Sequence, residues 1–188
     1  MIIYKISYNN PHRHYIDFEL TTKVHTDEKI QLQLSAWRPG RYELGNFSQN
    51  IQKLAVYDEN NNTLSFKKIT KDLWEINCSG VEEIIVKYNF YANQLDAGAC
   101  YLDENQLYLN PIHCIFYIVG RMEDDYKLNF DLPDNYIIAS SLTTNKHTLM
   151  VKGYDLLADS PIICSDSLQH DCYQVNGINF HLWFQGDC

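Results

Sequence analysis

The chain has 188 residues and a mass of 22.0 kDa, which suits a single domain built around one hydrophobic core. Its formal net charge is -9, and this excess of acidic residues disfavours nucleic acid and anionic membrane surfaces, because both attract basic proteins. The sequence has no apolar run of membrane-spanning length, and its start, MIIYKISYNNPHRHY, does not resemble a signal peptide. We therefore expect a cytoplasmic protein with neither nucleic acid nor a membrane as its partner.

Strand signals begin near the N terminus. Apolar residues, with Thr22 among them, occupy every second position from Ile16 to Val24 and again from Ile30 to Ala36, and this period of two predicts strands with one buried and one solvated face. Further strand-like segments, separated by turn residues, lie in residues 51–58, 63–69, 72–78, 82–92, 105–110, 112–120, 126–133, 136–142, 147–153 and 178–184.

The helical candidate is short. Residues 46–54 place Asn46 where an N-cap belongs and space Phe47, Ile51 and Leu54 along one face, but a strand beginning at Ile51 fits the same residues. We predict an all-β fold, a mostly antiparallel two-sheet sandwich or saddle-like β domain, with little helix beyond a turn near residues 46–52.

Six cysteines stand at irregular intervals. Disulfide frameworks are typical of smaller, secreted proteins with tightly spaced cysteines, so we expect mostly free thiols at Cys78, Cys100, Cys114, Cys164, Cys172 and Cys188.

The motifs of common hydrolytic sites are missing from the sequence. None of the seven histidines begins an H-E-x-x-H zinc motif, and there is no nucleophile elbow or phosphate loop. His12 and His14 would share one face of a strand, yet they lack a third ligand nearby, so an exposed loop is expected. The densest group of potential ligands, CSDSLQHDC at residues 164–172, has a spacing that matches no common zinc site. We predict no catalytic residue and no metal site in this chain.

The segment AWRPGRYELGNFSQN, residues 36–50, carries more bulk and charge than a turn requires. Pro39 and Gly40 suffice for the turn itself. We expect Trp37 to fill the core end of its strand, because its bulk favours burial. Arg38 and Arg41 have two interpretations: an ion pair within this domain, or a contact with neighbouring loops or another domain.

Four segments, in this order, resemble one family. Residues 36–58 are similar to a family segment with Trp-x-Pro-Gly-x-Tyr, a Phe, an Asn-Ile pair and a strand. LDENQLYLNPIHCIFYIVGRMED resembles an Asp-rich turn, a strand, an Asn and an apolar strand ending near Gly-Arg, and FDLPDNYIIASSL resembles a Leu-Pro turn before an aromatic residue and a strand. YDLLADSPI, residues 154–162, is similar to Tyr-Asp-x-Leu-x-Asp-Ser-Pro-Ile. From Ile3 to its end, the chain thus resembles the N-terminal domain of the glycyl aminopeptidases, peptidase family sixty-one, a family of gluzincin metallopeptidases.

The resemblance implies a non-catalytic role. Residues 1–188 would form a single β domain that packs on the zinc-binding catalytic domain of the same polypeptide and helps to shape the cleft for a peptide substrate. The zinc site and the aminopeptidase activity would belong to that catalytic domain, which is absent from this chain. Two alternatives stay open, namely a stand-alone β-sandwich module that binds carbohydrate or protein through exposed aromatic residues, and a purely structural sandwich domain.

The resemblance also suggests which residues face the catalytic domain. In YLNPIHC, Asn110 and Pro111 interrupt two apolar strands. By analogy with related aminopeptidases, we expect Asn110 and His113 to contact the peptide, with an ordinary break in an edge strand as the alternative. Interdomain contacts are expected from Arg38, Arg41, Tyr42 and Tyr108. Asp159, in the turn Asp159-Ser160-Pro161, is expected to cap or brace a loop.

Overall fold

The computed structural model describes residues 1–25, 28–41 and 43–187. Its largest element is a seven-stranded sheet in which all neighbouring strands are antiparallel except one parallel pair. In spatial order, the strands are β13 (Thr143–Asn145), β14 (Thr148–Lys152), β11 (Asp125–Phe130), β1 (Ile2–Ser7), β2 (Tyr15–Lys23), β7 (Glu83–Tyr91) and β4 (Ile51–Asp58). The parallel pair joins β1 to β11.

Three smaller antiparallel sheets complete the β structure of the described residues. The first contains β10 (Tyr117–Ile118), β3 (Lys29–Gln33), β6 (Leu73–Asn77) and β5 (Phe66–Lys68). The second contains β12 (Ile137–Ser140), β15 (Ile162–Ser165), β9 (Gln106–Leu109) and β8 (Tyr101–Leu102). The third is a hairpin of β16 (Gln169–Val175) and β17 (Ile178–Phe184). The structure confirms the all-β, mostly antiparallel fold, but it divides the strands among four sheets where the sequence predicted two.

The period-two pattern explains the long strands. In β2, Ile16, Phe18 and Leu20 are buried and the residues between them are partly exposed. These apolar side chains lie on the buried face of the sheet, as the alternation predicts.

Helical structure is confined to single turns among the described residues. They are the 3-10 helices Pro11–Arg13 and Phe47–Asn50 and the α-helices α1 (Pro111–Cys114) and α2 (Tyr154–Ala158). The turn near residue 46 is present, and the competing strand begins at Ile51, as β4. No helix in the described ranges is long and apolar enough to cross a membrane.

The strand predicted at residues 112–120 was wrong in its first half, because these residues begin with α1. Pro111 occupies the first helical position, where its fixed φ favours a helix and its missing N–H costs nothing. β9, which ends just before, lies between β15 and β8, so the interruption does not fall on an edge strand.

Three buried tyrosines hold the segment that follows α1. The Tyr88 hydroxyl donates to the carbonyl of Cys114 at 2.7 Å, and the Tyr154 hydroxyl donates to that of Ile115 at 3.2 Å. Tyr4 bonds both backbone groups of Phe116. No neighbouring strand in the described ranges bonds those backbone groups, and burial keeps water away from them. The tyrosine hydroxyls therefore supply the hydrogen bonds that these groups need.

The cysteines agree with the prediction where they are described. Cys100, Cys114 and Cys164 are buried free thiols, Cys78 is buried as well, and Cys172 is an exposed free thiol. Cys188 lies outside the described residues.

Candidate functional site

A polar cavity of about 310 Å³ lies where the segment 38–50, the loop 94–100 and helix α1 meet. Arg38 and Arg41 come from the first segment, Gly98 from the loop and His113 from α1. Arg38 precedes Gly98 by 60 positions and His113 by 75, so distant parts of the chain build one site, which is why the sequence pattern alone does not reveal it.

His113 forms the inner wall of this cavity. Its side chain is almost fully buried, and its ring stacks on that of Phe47 with centroids 3.9 Å apart and planes 17° apart. The Nε2 atom has no hydrogen-bond partner. Burial, reinforced by the nearby positive charge of Arg38, lowers the pKa of His113 to about 4. The imidazole is therefore neutral near pH 7 and holds an unused hydrogen-bonding nitrogen.

Arg38 lies across the loop 94–100. Its guanidinium passes so close to Gly98 that a Cβ at that position would collide with it. The Asp96 carboxylate accepts a hydrogen bond from the Gly98 N–H at 2.7 Å, and this bond lowers the pKa of Asp96, with smaller effects from Gln94 and Arg38. Asp96 thus fixes the loop and supplies negative charge near Arg38.

The other predicted site residues lie at different distances from the cavity. Arg41 is at the exposed rim and pairs with Glu43, and such a pair stabilises little because it is solvated. Asn110 is buried as the N-cap of α1 and makes no side-chain capping bond. The Tyr108 hydroxyl donates to the carbonyl of Ala97 at 3.4 Å. Neither Asn110 nor Tyr108 lines the cavity. Tyr42 lies outside the described residues.

A second cavity, of about 510 Å³, lies on the other side of α1. Neighbouring residues line different cavities. Trp37 and Ile112 line the second cavity, and Arg38 and His113, which follow them in sequence, line the first. Helix α1 and the turn at Pro39 thus separate two depressions.

The prediction that Trp37 fills the core was wrong, because 48% of its surface is exposed. Strand β3 ends at Gln33, so the alternation that buries Leu34 no longer directs the side chain at position 37. Trp37 instead lines the wall of the second cavity together with Pro39 and Ile112.

Sequence reasoning missed the site residues Phe47, Asp96 and Gly98. Phe47 was assigned to a helix face, whereas its ring covers His113. The small residues of Ala97-Gly98-Ala99 are the signal for the loop, since only a residue without Cβ leaves room for Arg38.

The histidine and cysteine groups of the sequence are dispersed in the structure. His12 pairs with Glu104 at 3.0 Å on the surface, and His14 Nδ1 lies 2.6 Å from the Leu102 carbonyl oxygen. In the segment 164–172, Cys164 is buried in β15 while Cys172 is exposed on the hairpin. Within the described ranges, no three histidine, cysteine or acidic side chains are placed to hold a metal ion together.

The turn at residues 159–161 has local, structural hydrogen bonds. Asp159 is the C-cap residue of α2, and its N–H donates to the carbonyl of Asp155 at 3.1 Å. The Ser160 hydroxyl donates to the carbonyl of Leu156 at 2.7 Å and accepts from Ser141 at 3.0 Å. Both hydrogen-bonding roles of this serine are therefore used within the domain.

The described residues thus form an all-β unit with a polar cavity between its loops. The sequence profile of the Peptidase M61 N-terminal domain matches residues 3–166, and the chain belongs to this family. It is the N-terminal domain of a peptidase family and does not itself contain the catalytic domain.

Solved structures agree with this family. An aminopeptidase N family protein from Idiomarina loihiensis has 27% sequence identity and a TM-score of 0.90, and the match covers 100% of this chain but 33% of that one. An M1 zinc metallopeptidase from Deinococcus radiodurans has 11% identity and a TM-score of 0.50, over 97% of this chain and 46% of that one, so the likeness concerns the fold alone. The chain spans about a third of the length of the Idiomarina protein. No curated protein matches the chain significantly.

Proposed function

We propose that this chain is the N-terminal β domain of a zinc metalloaminopeptidase, packs on the catalytic domain of the same polypeptide and forms one wall of the peptide-binding cleft. The observation that carries the proposal is the family match over residues 3–166. The similarity to one third of an aminopeptidase N family protein supports it, because a domain of this size leaves room for a catalytic unit in the relative.

The proposal assigns zinc and the catalytic base to the catalytic domain, and peptides with an N-terminal glycine to the cleft. It places the protein in the cytoplasm, without nucleic acid or membrane as a partner, on the basis of the acidic charge of -9 and the apolar pattern.

In this proposal, the surface around the two cavities faces the catalytic domain. Arg41 and Trp37 are exposed there, and Arg38 and Tyr108 are partly exposed. Interfaces between domains are rich in aromatic residues and arginine, and these four side chains have that character. Tyr42, which precedes Glu43 in the same segment, belongs to the proposed contact on sequence grounds.

Substrate contact is assigned to His113, in α1, and to Asn110, the residue before that helix. A neutral imidazole whose Nε2 has no protein partner is able to donate or accept one hydrogen bond with a peptide group. The Asn110 side chain is buried and does not line the cavity, so its assignment rests on the analogy with related aminopeptidases.

The test uses the full-length polypeptide and a glycyl substrate. His113→Ala and Asn110→Ala are compared with His12→Ala, a matched change at an exposed histidine on a different loop. We expect His113→Ala to raise KM about tenfold, because the peptide loses one hydrogen bond. We expect His12→Ala to leave the kinetics unchanged. Wild-type kinetics in both His113→Ala and Asn110→Ala, with intact folding, would remove these residues from the cleft. A full-length protein without aminopeptidase activity would overturn the proposed function itself.

A further inference from the structure

The hairpin of β16 and β17 differs from the rest of the chain because it has no core of its own. Every residue from Gln169 to Trp183 is exposed. Neither strand pairs with another sheet in the described residues, so the hairpin contributes two unpaired edges. A two-stranded hairpin without packing is only marginally stable in water.

The two faces of this hairpin are chemically different. Residues opposite each other in the register share a face, and each strand alternates between faces. One face, which we call the apolar face, carries Tyr173, Val175, Ile178, Phe180, Leu182 and Phe184, and Gln169 and Asp171 lie on the same face near the base of the hairpin. The other, the polar face, carries His170, Cys172, Gln174, Asn179, His181 and Trp183.

The apolar face is typical of a surface that is buried in the functional protein. Tyr173 and Phe180 stack with centroids 5.2 Å apart, and Ile178 remains 62% exposed. Monomeric proteins rarely leave so many large apolar side chains side by side in water. An unpaired strand edge beside such a face also favours aggregation unless another element covers it.

The base of the hairpin is anchored to the domain. The Gln185 side-chain amide donates to the hydroxyls of Ser165 and Ser167 at 2.8 and 2.9 Å, and the Gln169 amide donates to the carbonyl of Gly186 at 2.7 Å. The Gln185 bonds tie the end of the hairpin to the end of β15 and the residues just after it, and the Gln169 bond joins the two ends of the hairpin to each other. The hairpin therefore projects from a fixed point, with its apolar face available to a neighbour.

We propose that this apolar face packs against the catalytic domain of the same polypeptide and that the hairpin belongs to that folding unit, so that the boundary between the units lies at residues 166–168. The inference rests on the proposed function, since that function supplies the catalytic domain. Two observations favour this occupant over a second copy. The family match to the N-terminal domain ends at residue 166, before the hairpin begins. The Idiomarina protein matches the whole of this chain, hairpin included, and the larger part of its own length lies outside the match.

Hydrogen exchange of the full-length polypeptide tests the packing without any substitution. We expect the amides of residues 169–184 to exchange slowly in the full-length protein and at least about a hundredfold faster in the chain of residues 1–188, because packing protects hydrogen bonds that an isolated hairpin loses by local opening. Equally fast exchange in both would overturn the proposal.

Substitutions on adjacent residues of β17 give matched variants. Phe180→Asp and Leu182→Asp place a charge on the apolar face, whereas Asn179→Asp and His181→Asp place the same charge on the polar face. In the full-length protein we expect the first pair to lower the unfolding temperature by about 2–4 °C or more and the second pair to change it little. Equal effects of the two pairs would overturn the proposal.

Two further measurements separate the competing outcomes. A full-length protein that sediments as a dimer, and as a monomer after Phe180→Asp, would assign the face to a second copy and overturn the proposal. Slow exchange of the hairpin in a full-length protein without aminopeptidase activity would uphold the packing and overturn the proposed function. Aminopeptidase activity together with fast exchange of the hairpin would uphold the proposed function and overturn the packing.

Discussion

The Tyr4 hydroxyl satisfies both backbone groups of Phe116, a residue 112 positions away. It donates to the Phe116 carbonyl at 3.2 Å and accepts from the Phe116 N–H at 3.0 Å. Both residues have no exposed surface, so water does not replace these bonds. The first strand of the large sheet therefore fixes the segment that follows α1, and with it the position of His113.

Tyr4→Phe is expected to destabilise the domain by about 1–3 kcal/mol, because it leaves a buried N–H and a buried carbonyl without partners. Tyr126 provides the matched control, since its buried hydroxyl has no hydrogen-bond partner. Tyr126→Phe removes an unsatisfied group and is expected to be neutral or stabilising. Urea unfolding of the two variants measures the difference, and equal losses would contradict the assigned role of the Tyr4 hydroxyl.

His113 makes the stability of the domain depend on pH. Its pKa is lowered to about 4 by burial and then by Arg38, whereas in the unfolded chain the ordinary value of about 6.5 applies. Between these values the unfolded chain binds the proton and the folded chain does not. The contribution of His113 is therefore complete above about pH 6.5 and is lost as the pH falls toward about 4, by up to about 3 kcal/mol.

The variant His113→Phe keeps a ring against Phe47 and removes the titration. We expect the loss of stability between about pH 7 and about pH 5 to become smaller in this variant, as measured by urea unfolding at both values. His12→Phe, at an exposed position, serves as the control. A slope as steep as in the wild type would show that His113 binds the proton equally in the folded and unfolded chains in this range.

Gly98→Ala is expected to move Arg38 without unfolding the domain. The added Cβ meets the far end of the Arg38 side chain, which has other rotamers available at small cost, so we expect a loss of stability below about 1 kcal/mol. If the proposed function holds, KM of the full-length polypeptide for a glycyl substrate is expected to change in the same direction as in Arg38→Ala. The double variant provides the check, because Gly98→Ala has nothing left to displace when Arg38 is absent. Additive effects would contradict this coupling.

Thiol labelling is expected to distinguish the cysteines by burial. A water-soluble thiol reagent should modify Cys172 in the native protein, whereas Cys78, Cys100, Cys114 and Cys164 react only after unfolding. Burial also raises the pKa of the Cys114 and Cys164 thiols, which keeps them in the unreactive protonated form. The measurement uses Cys188→Ser, so that the terminal thiol does not contribute. Several labelled cysteines per native chain would contradict the buried positions.

The chain of residues 1–188 is expected to bind no stoichiometric zinc. His170 and His181 place ring nitrogens 2.9 Å apart on the exposed hairpin, but two exposed histidines are fewer than the four ligands of a structural zinc site. Elemental analysis after purification without chelators measures the metal content. One zinc retained per chain, and lost in His181→Ala, would show that the polar face of the hairpin is a metal site.

The long strands and the family can be predicted from the sequence. Alternation from Ile16 to Val24 is a local signal, because successive side chains of any strand point to opposite faces, and β2 follows it. The resemblance of four segments likewise rests on residues that are close in sequence, and the family match over residues 3–166 agrees with it.

The conformation of residues 112–120 and the position of the Trp37 side chain depend on tertiary contacts. A short apolar run fits a buried strand or a buried helix equally well, and the hydroxyls of Tyr4, Tyr88 and Tyr154 supply the hydrogen bonds that let the backbone after α1 remain outside a sheet. Trp37 lies beyond the end of β3, where side-chain direction no longer follows a period. The cavity at His113 depends on the meeting of Phe47, Gly98 and α1, whose sequence separation removes any local pattern, so its geometry existed only once the chain had folded.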